Sequence, residues 1–164
     1  MSARMRFALS FALLFTLLIV PVVGRGEGEK KEEEVKTDDR LVCIGALAGA
    51  HIYTTYGYVG TVADGYAHDV YKAEKVQDLM KEVIGLAEVS MKQLKTVRNG
   101  NIVDADRKVI DDVSEVYALL QKEAKALSEY SKSKNKDDLA KFEEARTAAW
   151  PKIKAVLGIK DDAK

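Results

Sequence analysis

Apolar residues recur every three or four positions through four stretches of the chain, with almost no strand-like alternation. That spacing is typical of amphipathic helices. It predicts helices at about 39–63, 72–98, 101–132 and 136–157. Because the stripes repeat about every 3.5 residues and the connections are short, we expect neighbouring helices to pack at a shallow angle. The predicted fold is an all-α, up-down-up-down four-helix bundle over residues 39–158.

Residues that start or stop helices set the expected bounds of the first helix. Thr37 or Asp38 stands where an N-cap is needed, since a short polar side chain can accept a hydrogen bond from the first turn. Asp64 and Gly65 interrupt the pattern at the other end. We therefore expect this helix to stop before Asp64.

Comparable signals flank the later helices. Asn101 and Asn135 are predicted N-caps, each followed three positions later by an aspartate. Gly158 resembles the glycine that commonly ends a helix, which leaves 159–164 as a C-terminal tail. Pro151 lies inside the fourth helix and predicts a kink or a restart there, because proline removes a backbone hydrogen bond.

The first helix differs from the others because it lacks charge. No Asp, Glu, Lys or Arg occurs from Leu41 to Ala63, whereas the other three helices carry such residues on their outer faces. With about 100° of rotation per residue, the expected core face carries Val42, Gly45, Gly49, Ile52, Tyr56, Val59, Gly60 and Ala63. The opposite face carries Leu47, His51, Thr54, Tyr58 and Thr61.

Three interpretations of this uncharged face compete. It is an interface with another copy or another protein, since interface cores are rich in tyrosine and poor in charge. Alternatively, the segment lies in a membrane with Gly45 and Gly49 at a close helix contact, although its polar residues make a poor membrane span. The third interpretation is ordinary exposed surface, because apolar atoms are common on soluble proteins. We favour a non-enzymatic interaction module.

The first 24 residues predict export from the cytoplasm. Arg4 and Arg6 precede an apolar run over 7–20, with Pro21 after it and small residues before position 25. This arrangement is typical of a secretory signal peptide. We expect a secreted or periplasmic protein, with membrane attachment only if this segment is retained as an anchor.

Residues 25–38 predict a charged, flexible linker between the signal peptide and the bundle. Burying Val35, its one large apolar side chain, would yield about 2 kcal/mol, less than the cost of ordering the segment. The whole chain carries 26 basic and 26 acidic residues. Because no basic stripe interrupts this balance, we expect no nucleic-acid partner.

Motifs of familiar catalytic or cofactor sites do not occur in the chain. His51 and His68 are its two histidines, and no Glu-x-x-His or Cys-x-x-Cys-His pattern is present. We therefore predict no enzyme activity and no cofactor. The alternative is a small-ligand or cofactor carrier that uses His51, Tyr56 and Tyr58 between helices. Cys43 is the single cysteine, expected to be buried as free cysteines usually are, or else to pair between chains.

Overall fold

The computed structural model describes residues 38–160, which form four α-helices and no strands. These are α1 (Asp39–Ala67), α2 (Ala73–Arg98), α3 (Asp104–Ser133) and α4 (Lys136–Leu157). The expected all-α, four-helix fold is confirmed for this part of the chain. The predicted signal peptide at 1–24, the predicted linker up to residue 37 and the tail at 161–164 lie outside the described residues.

Helix α3 is the central element of the bundle. It packs closely against α2 and α4, its neighbours in the chain, whereas α2 and α4 do not approach each other. Helix α1 contacts all three others, most extensively α3, but more loosely than α3 contacts α2 or α4. Helices α1 and α3 therefore lie across the short diagonal of the bundle.

The buried core is divided into two apolar clusters along the bundle axis. One, here the Ile52 cluster, includes Ile52, Leu94, Ile110, Val116, Leu120 and Ile153. The other, here the Val59 cluster, includes Val59, Val76, Met80, Leu127 and Phe142. All four helices contribute to both clusters, so the division runs across the bundle at one level.

The C-terminal end of α1 corrects the sequence prediction. The helix continues through Asp64 and Gly65 to Ala67 instead of stopping at residue 63. A side chain at Gly65 would collide with the ring of Tyr71, because a Cβ there would lie 2.5 Å from its Cδ2 atom. The glycine therefore lets the following loop fold tightly back on the helix, and that packing offsets its low helix propensity.

The start of α3 also differs from the prediction. Val103 occupies the N-cap position with no side-chain hydrogen bond, so Asn101 is not the cap and lies in the preceding loop. Arg107 organises this loop instead, donating to the backbone carbonyl oxygens of Arg98, Gly100 and Ile102 at 3.0–3.3 Å. One long side chain thereby satisfies carbonyl groups at the end of α2.

The predicted caps of α1 and α4 are confirmed. Asp38 accepts a hydrogen bond from the backbone N–H of Arg40, and Asn135 accepts one from that of Asp138 at 2.8 Å. Gly158 ends α4 in the left-handed conformation with φ of 65°. Helix α4 runs continuously through Pro151. Of the kink or restart expected at that residue, the restart is therefore wrong.

The inner face of α1 is shorter than the sequence predicted. Ile52, Val59 and Gly49 are buried as expected, and Val62 joins them. Val42, expected in the core, is 56% exposed. The fully buried residues of α1 therefore begin at Gly49, while Leu41, Ile44 and Ala48 in its first turns pack partly buried against the Ile52 cluster.

Gly49 lets α1 approach the end of α4, and replacing it tests this contact. A Cβ at Gly49 would lie 2.8 Å from Cδ2 of Leu157, whereas one at Gly57 would meet nothing within 4 Å. Gly49→Leu is expected to reduce the free energy of unfolding by about 1–3 kcal/mol through overpacking. Gly57→Leu, the matched control, should raise it by about 0.5–1 kcal/mol through better helix propensity. Urea unfolding followed by circular dichroism measures both, and equal effects would contradict the docked position of α1.

Candidate functional site

The uncharged face predicted on the first helix is largely exposed. Leu47 is 66% exposed and Tyr58 39%, and Thr54 and Thr61 are also exposed. His51 is the exception, since its ring is partly buried and lies against α3. We call the exposed, uncharged side of this helix the outer face of α1; it comprises Cys43, Ala46, Leu47, Ala50, Tyr53, Thr54, Gly57, Tyr58 and Thr61.

Local hydrogen bonds make the outer face of α1 less polar than its sequence suggests. The hydroxyl of Thr54 donates to the carbonyl of Ala50 at 2.8 Å, and that of Thr61 donates to Gly57 at 3.0 Å. Both donors are thus used within the helix. Thr54 and Thr61 therefore offer no free hydroxyl donor on this face.

Ion pairs cover the outer sides of the other helices. Lys152 on α4 pairs with Glu115 on α3 at 2.9 Å, and Arg98 on α2 pairs with Asp111 on α3. Exposed apolar side chains also occur on α2, at Leu86 and Val89. Charged residues lie within four positions of each, namely Glu82, Glu88 and Lys92, whereas residues 41–63 of α1 contain no Asp, Glu, Lys or Arg.

An apolar groove of about 250 Å³ adjoins the start of the outer face of α1. It separates the first turns of α1 from α2 and α3. Its lining includes Leu41, Ile44 and Ala48 of α1, Leu94 of α2 and Ile110 and Val113 of α3. Asp106 is the charged residue among those that line it.

Cys43 lies on the outer face of α1 and is exposed, so the expectation that it is buried was wrong. In this first part of α1, Leu41 and Ile44 pack against the Ile52 cluster, whereas Val42 and Cys43 are exposed. The thiol is therefore accessible to reagents and serves as a unique labelling position in this chain.

His51 makes a specific polar contact instead of facing solvent freely. Its Nδ1 atom is hydrogen-bonded to the hydroxyl of Tyr117 at 2.8 Å, and the two ring centroids are 5.6 Å apart. Burial raises the pKa of Tyr117, while a hydrogen bond with Ser90 of α2 lowers it. This contact therefore links α1 to the buried side of α3.

The residues proposed for a small-ligand carrier do not converge on one site. His51 contacts Tyr117, Tyr56 stacks on Trp150 with centroids 5.3 Å apart, and Tyr58 is on the outer face of α1. His68 lies just beyond the end of α1, with Nδ1 2.8 Å from the carbonyl oxygen of Asp64. Within residues 38–160, no three His, Cys, Asp or Glu side chains are grouped to hold a metal ion.

A buried ion pair that the sequence analysis missed lies between the two core clusters. Glu123 of α3 is completely buried, and its Oε1 atom accepts a hydrogen bond from Nη1 of Arg146 of α4 at 2.5 Å. The other carboxylate oxygen, Oε2, is buried without a hydrogen-bond partner. Burial raises the pKa of Glu123 to about 7, although the hydrogen bond and charge of Arg146 lower it.

Arg146 also reaches α1. It donates from Nη1 to the backbone carbonyl of Tyr56 at 3.2 Å, and its guanidinium lies 4.0 Å from the centroid of the Tyr56 ring. A Cβ at Gly60 would lie 2.5 Å from Nη2 of Arg146. Gly60 therefore provides the space for a cation that joins three helices.

The apolar stripe of the third helix contained a signal for the buried pair. Glu123 follows Leu120 by three residues and precedes Leu127 by four, so it occupies a core position of the helical repeat. A charged residue in that position requires a partner when it is buried. The partner itself could not be chosen from the sequence, because α4 offers four lysines besides Arg146.

Comparisons with known proteins give this chain no assignment: no protein-family model, curated protein sequence or solved structure matches it. None of the four helices between residues 38 and 160 combines the length and apolar character needed to cross a bilayer.

Proposed function

We propose that this protein is a non-enzymatic interaction module that binds a second copy or another protein through the outer face of α1. The observation that carries the proposal is the exposure of an uncharged helix side that includes Leu47 at 66%. Interfaces favour aromatic residues and disfavour lysine, glutamate and aspartate at their centres. Tyr53 and Tyr58 supply the aromatic surface, and residues 41–63 lack all such charges.

The shape of the surface supports this role. The outer face of α1 extends from Cys43 to Thr61, which is about 27 Å along a helix at 1.5 Å per residue. Small residues at Ala46, Ala50 and Gly57 leave the backbone accessible to a partner. The adjoining groove extends the apolar surface beyond the helix. A partner helix or loop of similar length would fit along it.

A carrier role has less support, because His51, Tyr56 and Tyr58 have separate neighbours. Export to a secreted or periplasmic location stays a proposal that depends on residues 1–24. An interaction module outside the cytoplasm would agree with both the outer face of α1 and the export signal expected in residues 1–24. The proposal requires no catalytic group and no cofactor.

Charges placed on the outer face of α1 test the proposed interface. Leu47→Glu together with Thr54→Lys is expected to weaken association while helix content stays unchanged, because a partner would have to bury both charges. Sedimentation velocity over a range of protein concentrations measures self-association, and circular dichroism measures helix content. We expect the wild-type chain to show a mass above that of a monomer and the variant to sediment as a monomer.

Leu86→Glu with Gln93→Lys on α2 is the matched control. It makes the same charge changes at the same seven-residue spacing on another exposed helix side, where Leu86 is 55% exposed. This variant should associate as the wild type does. If the wild type and both variants all sediment as monomers, self-association is excluded. The proposal then requires a different protein that binds the wild type and the control variant but not the test variant.

A further inference from the structure

The Glu123–Arg146 pair occupies a level of the bundle where a charge is costly. The side chain of Glu123 has no exposure and that of Arg146 has 30%. Removing two charges from water often costs more than their attraction returns, unless every remaining lone pair is satisfied. Here Oε2 of Glu123 has no partner. The charged form of this carboxyl is therefore incompletely compensated.

Helix α1 covers this pair and is held less firmly than the other helices. Four of its 29 residues are buried, compared with five of 26 in α2, nine of 30 in α3 and four of 22 in α4. Gly49 and Gly60 contribute no side chain to the interface, and a Cβ at Gly45 would meet nothing within 4 Å. Of the four helices, α1 therefore offers the least resistance to separation.

We propose that the Glu123–Arg146 pair makes the docking of α1 pH-dependent, with α1 separating from the other three helices more readily once Glu123 loses its proton. Separation of α1 would move Tyr56 and Gly60 away from Arg146 and admit water to the carboxyl. The charged form gains most from that hydration. This conformational response is independent of the proposed binding role of the outer face of α1.

The sign follows from the difference between the docked and separated states. The pKa of Glu123 is about 7 in the docked state, where the carboxyl is buried, and its ordinary value is 4.5. The docked state therefore holds the proton more tightly than a separated, hydrated state does. Docking is therefore strongest below pH 4.5 and weakens as pH rises through 7. Between pH 6 and pH 8, these values predict an about tenfold fall in the docking equilibrium constant.

Few groups contribute to this titration. Arg146 of α4 is the charged group whose hydrogen bond and charge lower the pKa of Glu123. From α1, Tyr56 faces the pair, and burial raises the pKa of its hydroxyl, so it stays protonated through the neutral range. No α2 group from the described residues shifts the pKa of Glu123.

Native-state amide hydrogen exchange at pH 6 and pH 8 tests the proposal on the full chain. Protection factors, normalised to the exchange rate of an unstructured peptide at each pH, remove the intrinsic effect of pH. Amides of Ile52 and Val59 in α1 should lose about tenfold protection between pH 6 and pH 8. Amides of Val116 and Leu120 in α3 should lose less, because α3 stays packed against α2 and α4.

Three variants identify the responsible group. Glu123→Gln should abolish the tenfold difference, whereas Glu129→Gln, an exposed glutamate of α3, should keep it. Because histidines also titrate near neutral pH, His51→Gln with His68→Gln should keep it as well. Should Glu123→Gln fail to fold, Glu123→Leu with Arg146→Met replaces the pair by apolar groups, and this variant should also lack the difference.

The proposal is overturned by any of three results. They are an unchanged protection of α1 between the two pH values, a tenfold loss that persists without Glu123, and an equal loss in all four helices. The last result would show that the whole bundle opens as one unit.

Discussion

Arg146→Met is expected to lower the free energy of unfolding by about 3–5 kcal/mol at pH 8, where Glu123 carries its charge. The substitution keeps an unbranched, largely apolar side chain but removes the guanidinium, which leaves the buried carboxyl of Glu123 without its cation. It also removes the contact with the Tyr56 ring at 4.0 Å and the hydrogen bond to the Tyr56 carbonyl. Denaturant unfolding monitored by circular dichroism measures the loss.

The double variant Glu123→Leu with Arg146→Met is the control for Arg146→Met. Replacing both partners by apolar groups of similar volume is often neutral or stabilising, by about 1–4 kcal/mol. We expect the double variant to be at least as stable as the wild type. A small effect of Arg146→Met alone would show that Glu123 is not buried as described.

Ile52→Ala is expected to lower the free energy of unfolding by about 2–5 kcal/mol. Ile52 has no exposed surface and belongs to the same cluster as Leu120 and Ile153. Removing its methyl groups leaves a cavity between α1 and the other helices that the structure can fill only partly. Thermal or urea unfolding at low protein concentration measures the change.

Leu47→Ala is the matched comparison for Ile52→Ala. It truncates an aliphatic side chain five positions away on the same helix, where the side chain is 66% exposed. We expect a change within about 0.5 kcal/mol. Equal losses in the free energy of unfolding for the two variants would mean that Ile52 does not face the core and Leu47 does not face solvent as described.

The sequence predicted the number and type of helices because their apolar stripes are regular. Helices α2 and α4 lie at 73–98 and 136–157, within one residue of the expected positions. Asn135 could be assigned as a cap because the signal is local, with the acceptor and donor three residues apart. Local rules suffice where the interaction joins near neighbours in the chain.

Prediction failed where a residue's role depended on a partner outside its own helix. Gly65 resembled a helix stop, yet it lies within α1 because the ring of Tyr71 packs on it. Asn101 resembled a cap, yet Arg107 organises that loop. Val42 fitted the inner stripe, but it is exposed, and its neighbours Leu41 and Ile44 pack against the core instead. None of these contacts follows from spacing along one helix.

The candidate sites likewise divide into features that follow from one helix and features that depend on neighbouring helices. The exposure of Leu47, Thr54, Tyr58 and Thr61 agrees with the periodicity of α1, since an outward position is set by rotation along one helix. His51 was assigned to the same face, yet its ring is hydrogen-bonded to the hydroxyl of Tyr117 on α3. The Glu123–Arg146 pair required the relative position of three helices, so periodicity alone could mark Glu123 but not complete the pair.

The orientation of α1 is the central claim, and nuclear Overhauser contacts at pH 6 test it most directly. The ring protons of Tyr56 should show cross-peaks to the indole of Trp150, the only tryptophan of the chain, since the two ring centroids are 5.3 Å apart. The methyl groups of Leu47 should show none to α2, α3 or α4. Cross-peaks from Leu47 to those helices, with none between Tyr56 and Trp150, would contradict the account.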